Sequence, residues 1–236
     1  MTSSTLDDAA CNAGQFPNPT WFTAREQTAS RGRRGRAWVA PKGNFYGTLS
    51  VIEPNPARAA LRSFVASLAL ADALDALSNH GCEIALKWPN DVLLNGGKVA
   101  GILLEGLSGP KGLWGVAVGI GVNLAHAPEP SEVETGAIRP VALVAESGRQ
   151  VSPDDLLAHL AARFAEWDAR LQTLGFAPIR RAWLERAAFR GQKITVKLPH
   201  ETKVGLFKDI DEAGHLILAT AEGDQAIAAG DVFFGG

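Results

Sequence analysis

Apolar positions along the chain follow two textures. Between Asn55 and Leu77 they recur at three- and four-residue steps through Leu61, Phe64, Leu68, Ala71 and Leu74. With Asn55 as cap and Pro56 in the first turn, that spacing predicts a helix laying one face on a sheet. The period returns after Ser152-Pro153-Asp154-Asp155, through Leu157, Leu160, Phe164, Trp167, Leu171 and Leu174, and stops at Gly175. A further helix is predicted from about 178 to 189. Ser4 and Thr5 stand before Leu6-Asp7-Asp8, a hydroxyl followed by carboxylates, which suits a helix start; by pattern alone capping is their favoured role.

Strand patterns lie between these helices, at residues 21–24, 45–52, 83–88 and 113–120. Pro89 ends the third, because proline donates no hydrogen bond and holds Trp88 extended. Residues 92–95 and 98–105 flank Gly96-Gly97, which reads as a two-residue hairpin turn. The stretch 99–104 is apolar on both faces, as in the middle of a sheet, and Gly101 within it predicts a close approach by another group. Residues 126–150 carry Pro128, Pro130, Gly136, Pro140 and Gly148 and are expected to connect rather than to form core.

From Gly191 the texture changes to five short alternating runs at 193–198, 203–210, 216–219, 225–228 and 231–234, which predict a small β-barrel. The expected division is residues 1–189 and 190–236, and the fold class α+β: a mixed central sheet flanked by helices with the small barrel at its C-terminal end.

Composition narrows the class. The chain has 236 residues, 46% hydrophobic and 20% charged, enough for one full core and a small annex. No apolar run approaches the roughly 20 residues that span a bilayer, and the first residues lack a signal peptide's basic and apolar regions. A cytoplasmic protein without membrane partners is expected. Cys11 and Cys82 are too few for a disulfide framework, and the five histidines never stand at ligand spacing with cysteines or carboxylates. A metal site built by the protein is not expected, nor is a covalent nucleophile, since no serine sits in a Gly-x-Ser-x-Gly setting.

Candidate chemistry centres on Ser30-Arg31-Gly32-Arg33-Arg34-Gly35-Arg36-Ala37-Trp38. Two glycines among four arginines disfavour helix and strand, leaving a loop whose guanidinium forks and backbone N–H groups suit a phosphate or carboxylate. Arg-Gly runs also occur in RNA-binding segments, but the chain's net charge is −2, and without these four cations the remainder is −6, so no general basic surface supports nucleic-acid binding. Trp38 offers a flat face for a base. Lys87, Asn90 and Asp91 emerge together at a strand end, Lys98 opens the next strand, and Asn123 follows Gly119-Ile120-Gly121.

Ser30 to Arg36, Lys87-Trp88-Pro89-Asn90-Asp91, Lys98-Val99-Ala100-Gly101-Ile102-Leu103 and Gly119-Ile120-Gly121-Val122-Asn123, in that order, resemble the signatures of biotin protein ligases. The C-terminal runs resemble that family's SH3-like domain. The resemblance implies a class II synthetase-like catalytic fold, formation of biotinyl-5'-AMP from biotin and ATP with Mg²⁺ held mainly by phosphates, and transfer of biotin to a lysine of a biotin carboxyl carrier protein. It implies a short form without a DNA-binding domain, and admits a homodimer through a sheet edge. Carried over by position, Arg33 and Lys98 are the catalytic cations. Ser4, Thr5, Gln27, Arg31, Gly32, Lys98 and Gly101 are implied at biotin, and Arg33, Arg36, Trp38, Lys87, Asn90, Asp91 and Asn123 at ATP or the adenylate. Ser30 replaces the family's usual loop glycine, and Leu6 its asparagine after Ser-Thr. Only Met1, Thr2 and Ser3 precede Ser4, where the family has a strand. Two other readings remain: a lipoate or octanoate ligase of related fold, and a non-catalytic RNA-binding module.

Overall fold

The computed structural model describes every residue except 18, 109–113, 130, 131, 135, 235 and 236. Its centre is a six-stranded sheet made of β1 (Thr20–Ala24), β2 (Phe45–Ile52), β3 (Ile84–Lys87), β4 (Asp91–Leu94), β5 (Gly97–Ser108) and β6 (Trp114–Val122), in the order β1-β2-β6-β5-β4-β3. These strands pair antiparallel, while parallel bridges join Thr2 to Gln27 and Leu86 to Ala187 at the edges. Residues 1–3 thus stand in for a first strand: Thr2 donates to the Glu26 carbonyl, and its own carbonyl receives the Thr28 N–H.

Side-chain alternation assigns the two faces. Val116, Val118, Ile120 and Val122 of β6 enter the main core, beneath α2 (Pro56–Leu77) and α4 (Pro153–Leu174). The periodicity and caps predict both helices well: Asn55 accepts from the Ala57 and Arg58 N–H groups, Ser152 caps α4, and Gly175 ends it at φ +73. Arg62 of α2 is fully buried between Glu53, at 2.9 Å, and Asp168 of α4, at 3.1 Å. Two carboxylates around one guanidinium tie helix to helix and helix to sheet.

The opposite face carries the alternate residues. Here α1 (Thr5–Cys11) packs Leu6 and Ala9 on Ala117 and Leu107, capped as expected by the Ser4 hydroxyl, which accepts from the Leu6 N–H. Beyond Leu6 the sheet carries Gly119 and Gly121 on β6, with Gly101 opposite Gly121 on β5. Without side chains these positions form a trench.

Three expectations need correction. The hairpin turn is Asn95-Gly96, both at positive φ, and Gly97 already pairs with Leu94 in the ladder. Gly97 is needed for packing, since a β-carbon there would lie 2.3 Å from Val141. The helix foreseen at 178–189 is α5 (Phe176–Glu185): Leu86 donates to the Arg186 carbonyl and accepts from Ala188, so sheet-edge pairing ends the helix early. Residues 126–150 do more than connect, because Val141, Ala142 and Leu143 are buried and α3 (Leu143–Ser147) closes the segment.

The C-terminal module is an antiparallel five-stranded, SH3-like sheet of β7 (Lys193–Lys197), β8 (Thr202–Ile210), β9 (Leu216–Thr220), β10 (Gly223–Ile227) and β11 (Asp231–Phe234), ordered β10-β9-β8-β7-β11. Among the described residues that ladder is open, with no pairing between β10 and β11 that would close the expected barrel. Its apolar side merges with the main core, and the buried Trp88 indole N–H donates to the Gly214 carbonyl at 3.1 Å. β11 is thereby brought beside the arginine loop.

Candidate active site

One cavity of about 580 Å³ lies over the glycine trench. Every residue that the resemblance implies at a ligand lines it: Ser4, Thr5, Gln27, Arg31, Gly32, Arg33, Arg36, Trp38, Lys87, Asn90, Asp91, Lys98, Gly101 and Asn123, whereas Arg34 and Gly35 of the loop do not. Part of the 128–140 segment forms one wall and Asp231, Val232 and Phe233 another.

The trench explains how Trp38 is seated. A β-carbon at Gly121 would lie 2.9 Å from the indole Nε1 and Cε2, and one at Gly101 would lie 3.2 Å from the ring's far edge. The ring lies across both glycines, the close approach that Gly101 predicted. Its buried Nε1 has no hydrogen-bond partner, and neither has the buried Oδ1 of Asn123. Buried polar atoms without partners are costly and rare, so a donor and an acceptor left unpaired at one cavity mark where a ligand completes the set.

At the strand ends, Asp91 bridges two lysines: Oδ1 meets Lys98 Nζ at 2.7 Å and Oδ2 meets Lys87 Nζ at 3.3 Å. Burial alone would raise the Asp91 pKa, but Lys98 and Lys87 outweigh it and hold the carboxyl below the ordinary range. Burial draws the Lys87 ammonium below the usual lysine value, with Asp91 opposing. Lys98 also lies 5.6 Å from the Trp38 ring centroid. Two ammonium groups against one carboxylate leave the cluster net positive. Asn90 is fixed by donating to the Ile102 carbonyl at 2.8 Å.

The arginine loop is anchored by the protein's own acids. Arg31 is gripped by Glu105 of β5 through two hydrogen bonds, at 2.8 and 2.7 Å, and by Asp7 of α1 at 2.8 Å. The Glu105 bond, opposed by burial and helped by Asp7, raises the Arg31 pKa above the ordinary arginine value. Its side chain is therefore committed to the frame. Asp231 of β11 receives Arg34 at 2.7 Å and Arg36 at 2.6 Å, with Arg33 at 3.7 Å. Arg33 also donates to the Gly230 carbonyl at 3.1 Å. Burial lowers the Arg33 pKa while Asp231 works to raise it. The loop's guanidinium groups suit a ligand anion, yet Asp231, Glu134, Glu105 and Asp7 already pair with them.

A polar corner lies at the other end. The Gln27 Oε1 accepts from the Thr5 N–H at 2.8 Å and from the Thr5 hydroxyl at 3.2 Å, and Thr48 donates to Thr5 Oγ1 at 2.9 Å. The carbonyl end of Gln27 is occupied, which leaves its NH₂ group as the end to offer a ligand acceptor. Leu6 lies 3.0 Å from where a Gly119 β-carbon would be, adding an apolar surface to the corner.

Asp231, Glu105 and Asp7 escaped the sequence reading. Each is one carboxylate in an otherwise ordinary element: Asp7 reads only as a first-turn helix acid, and Glu105 is a charge near the end of an apolar strand. Among the described residues no three His, Cys, Asp or Glu side chains gather as a metal site would require.

A small-strand module docked on an antiparallel α/β core, with a glycine trench under a cationic loop, is the architecture of a known group of enzymes. Residues 1–123 match the model of the biotin/lipoate A/B protein ligase family and residues 189–235 that of the biotin protein ligase C terminal domain, and the chain belongs to this family of ligases. It is 52% identical, over its whole length and 98% of the relative's, to the biotin–[acetyl-CoA-carboxylase] ligase of Paracoccus denitrificans. It is 34% identical to the enzyme of that name from Mycobacterium tuberculosis, across 98% of this chain and 86% of that one. Among solved structures, the biotin protein ligase from Aquifex aeolicus in complex with biotin and ATP shares the fold, with a TM-score of 0.82, 24% identity, and 98% and 94% of the two chains covered.

Proposed function

We propose that this protein makes biotinyl-5'-AMP from biotin and ATP and transfers the biotinyl group to a lysine of a biotin carboxyl carrier protein. The observation that carries the reading is the convergence of four motifs, spread from residue 30 to residue 123, on one cavity holding Arg33, Lys98 and the unpartnered polar atoms of Trp38 and Asn123. In this reading residues 1–189 form the ligase and residues 190–236 the appended module that supplies Asp231. The site works in the cytoplasm, where ATP and carboxylases meet. Among the described residues no helix is long and apolar enough to cross a membrane.

In the first step a biotin carboxylate oxygen attacks the α-phosphorus of ATP, and pyrophosphate leaves. Both reactants are anions, so the net-positive Lys87–Asp91–Lys98 cluster and Arg33 lower their repulsion and follow charge onto the bridging oxygens. Mg²⁺ would be held by the phosphates of ATP and would neutralise part of their charge. The Gln27–Thr5–Ser4 corner meets the ureido ring by hydrogen bonds, beside the apolar surface of Leu6. Trp38 and Asn123 take the adenine. In the second step a carrier lysine amine attacks the acyl carbon and AMP departs, its charge held by the same cations.

The test is mass spectrometry of a biotin carboxyl carrier domain incubated with the protein and MgATP, separately with biotin, lipoate and octanoate. A single biotinyl addition in the biotin arm alone is expected. Modification only with lipoate or octanoate, or none in any arm, would overturn the reading.

A further inference from the structure

Asn44 lies outside the cavity lining, yet it is 1% exposed and its amide is fully engaged. Its Oδ1 accepts from three consecutive backbone N–H groups, those of Leu124 at 3.0 Å, Ala125 at 2.9 Å and His126 at 3.0 Å, and its Nδ2 donates to the His126 carbonyl at 2.8 Å. Three successive N–H groups turned onto one oxygen form a nest, a backbone shape that needs a strong acceptor at its centre. The segment it gathers is the one that follows Asn123.

The same turn is fixed from its other side. The Tyr46 hydroxyl donates to the Pro41 carbonyl at 2.8 Å, and Gly43, at φ +95, comes so close that a β-carbon would lie 3.1 Å from the Ala125 β-carbon. Residues 41–44 lead back to Trp38. Asn123 itself is held through its backbone alone, by its N–H to the Val99 carbonyl and its carbonyl to the Leu143 N–H, both at 2.9 Å. Its side-chain oxygen is left to face the cavity without a partner.

From this we infer that Asn44 is a positioning residue for nucleotide recognition: it locks the chain leaving β6 to the turn after Trp38, so that the Asn123 amide oxygen and the indole are held ready for the base. The inference rests on the ligase reading above. An amide oxygen without a partner selects a ligand N–H donor. The 6-amino group of adenine presents one and the 6-oxo group of guanine does not, so misplacing Asn123 costs discrimination between bases as well as affinity.

Pyrophosphate release by wild type, Asn44→Ser and Asn44→Asp is measured with ATP and with GTP, at varied biotin, beside thermal melting. For Asn44→Ser the expected result is a roughly tenfold higher KM for ATP, a matching fall in the preference for ATP over GTP, and a KM for biotin within about twofold of wild type. Asn44→Asp keeps an acceptor for the nest and is expected to recover most of the ATP preference. If the KM values for ATP and biotin rise together, or the base preference does not move, the inference is overturned. A wild type that releases no pyrophosphate fails the ligase reading instead. Independently of any variant, the amides of residues 124–126 in the unliganded wild type are expected to resist hydrogen exchange, and fast exchange there would equally overturn the inference.

Discussion

The Trp38 indole rests on the backbone of Gly121, with its Nε1 2.9 Å from where a β-carbon would stand. The ring has no other way to lie this deep, because the glycine's missing side chain makes the room and Gly101 beside it repeats the gap. One methyl group therefore tests the seat. Gly121→Ala lies in a strand at an ordinary backbone angle, so its effect is overpacking, worth about 1–3 kcal/mol. Moving the indole aside relieves most of it. The expected outcome is a protein that still melts cooperatively, with KM for ATP raised more than KM for biotin, read by steady-state pyrophosphate release.

Asp231 faces Arg33, Arg34 and Arg36, and thereby makes the C-terminal module part of the loop's anchorage. Removing the carboxylate sets three like charges against one another. Each partly exposed pair contributes about 1 kcal/mol or less, so global stability should fall little. The loop's local opening should change far more, since it is tied to the module chiefly through this group. Asp231→Ala is expected to be cut by trypsin at 31–36 faster than wild type, with biotin plus MgATP restoring protection as the adenylate phosphate takes the carboxylate's place. Equal cleavage rates in the two proteins would remove Asp231 from this role.

Much of this frame was legible because local chemistry and packing agree. Asn55, Pro56, Ser152 and Gly175 bound α2 and α4 by the same caps that the structure shows, and β2 ends where its apolar run ends. The failures share one cause, contacts between distant segments. Gly97 reads as a turn residue but exists to admit Val141, and residues 186–188 read as helix but pair with Leu86. The site divides likewise: motif residues converge because glycine, tryptophan and cation spacing carries chemistry, whereas Asp231 is 195 residues from Arg36 in the chain and has no local signature.

Arg33 and Lys98 both line the cavity, one from the loop and one from β5, so each is expected to act on charge that develops at phosphorus. Losing a donor of this kind costs about 3 kcal/mol of barrier, roughly a hundredfold in rate. Arg33→Ala and Lys98→Ala should each lower kcat for biotin-dependent pyrophosphate release by about that factor. Chemically made biotinyl-5'-AMP given to Arg33→Ala should restore transfer to the carrier more fully than biotin and ATP do. Unchanged pyrophosphate release in either variant would contradict the assignment.

The pH response of the Lys87–Asp91–Lys98 cluster follows from the sign of its shifts. Because the lysines hold the folded Asp91 pKa below its unfolded value of about 3.9, its stabilising contribution is complete above that pH. It is lost only as pH falls through the lower folded value. Lys87 acts in the opposite sense: its folded pKa lies below the unfolded value of about 10.4, so confining its charge costs stability near neutrality, and that cost fades as pH rises between the two values. Asp91→Asn leaves two ammonium groups facing one another, a loss of about 3 kcal/mol by analogy with broken buried pairs. In denaturant titrations the gap between wild type and Asp91→Asn should be constant from about pH 5 to 8 and should close below about pH 4. It should narrow again as pH rises toward the unfolded lysine value of about 10.4, because Lys87 in the variant sheds its proton below that value. A gap that stays the same down to pH 2 would mean that the carboxylate's charge is not what holds the two lysines.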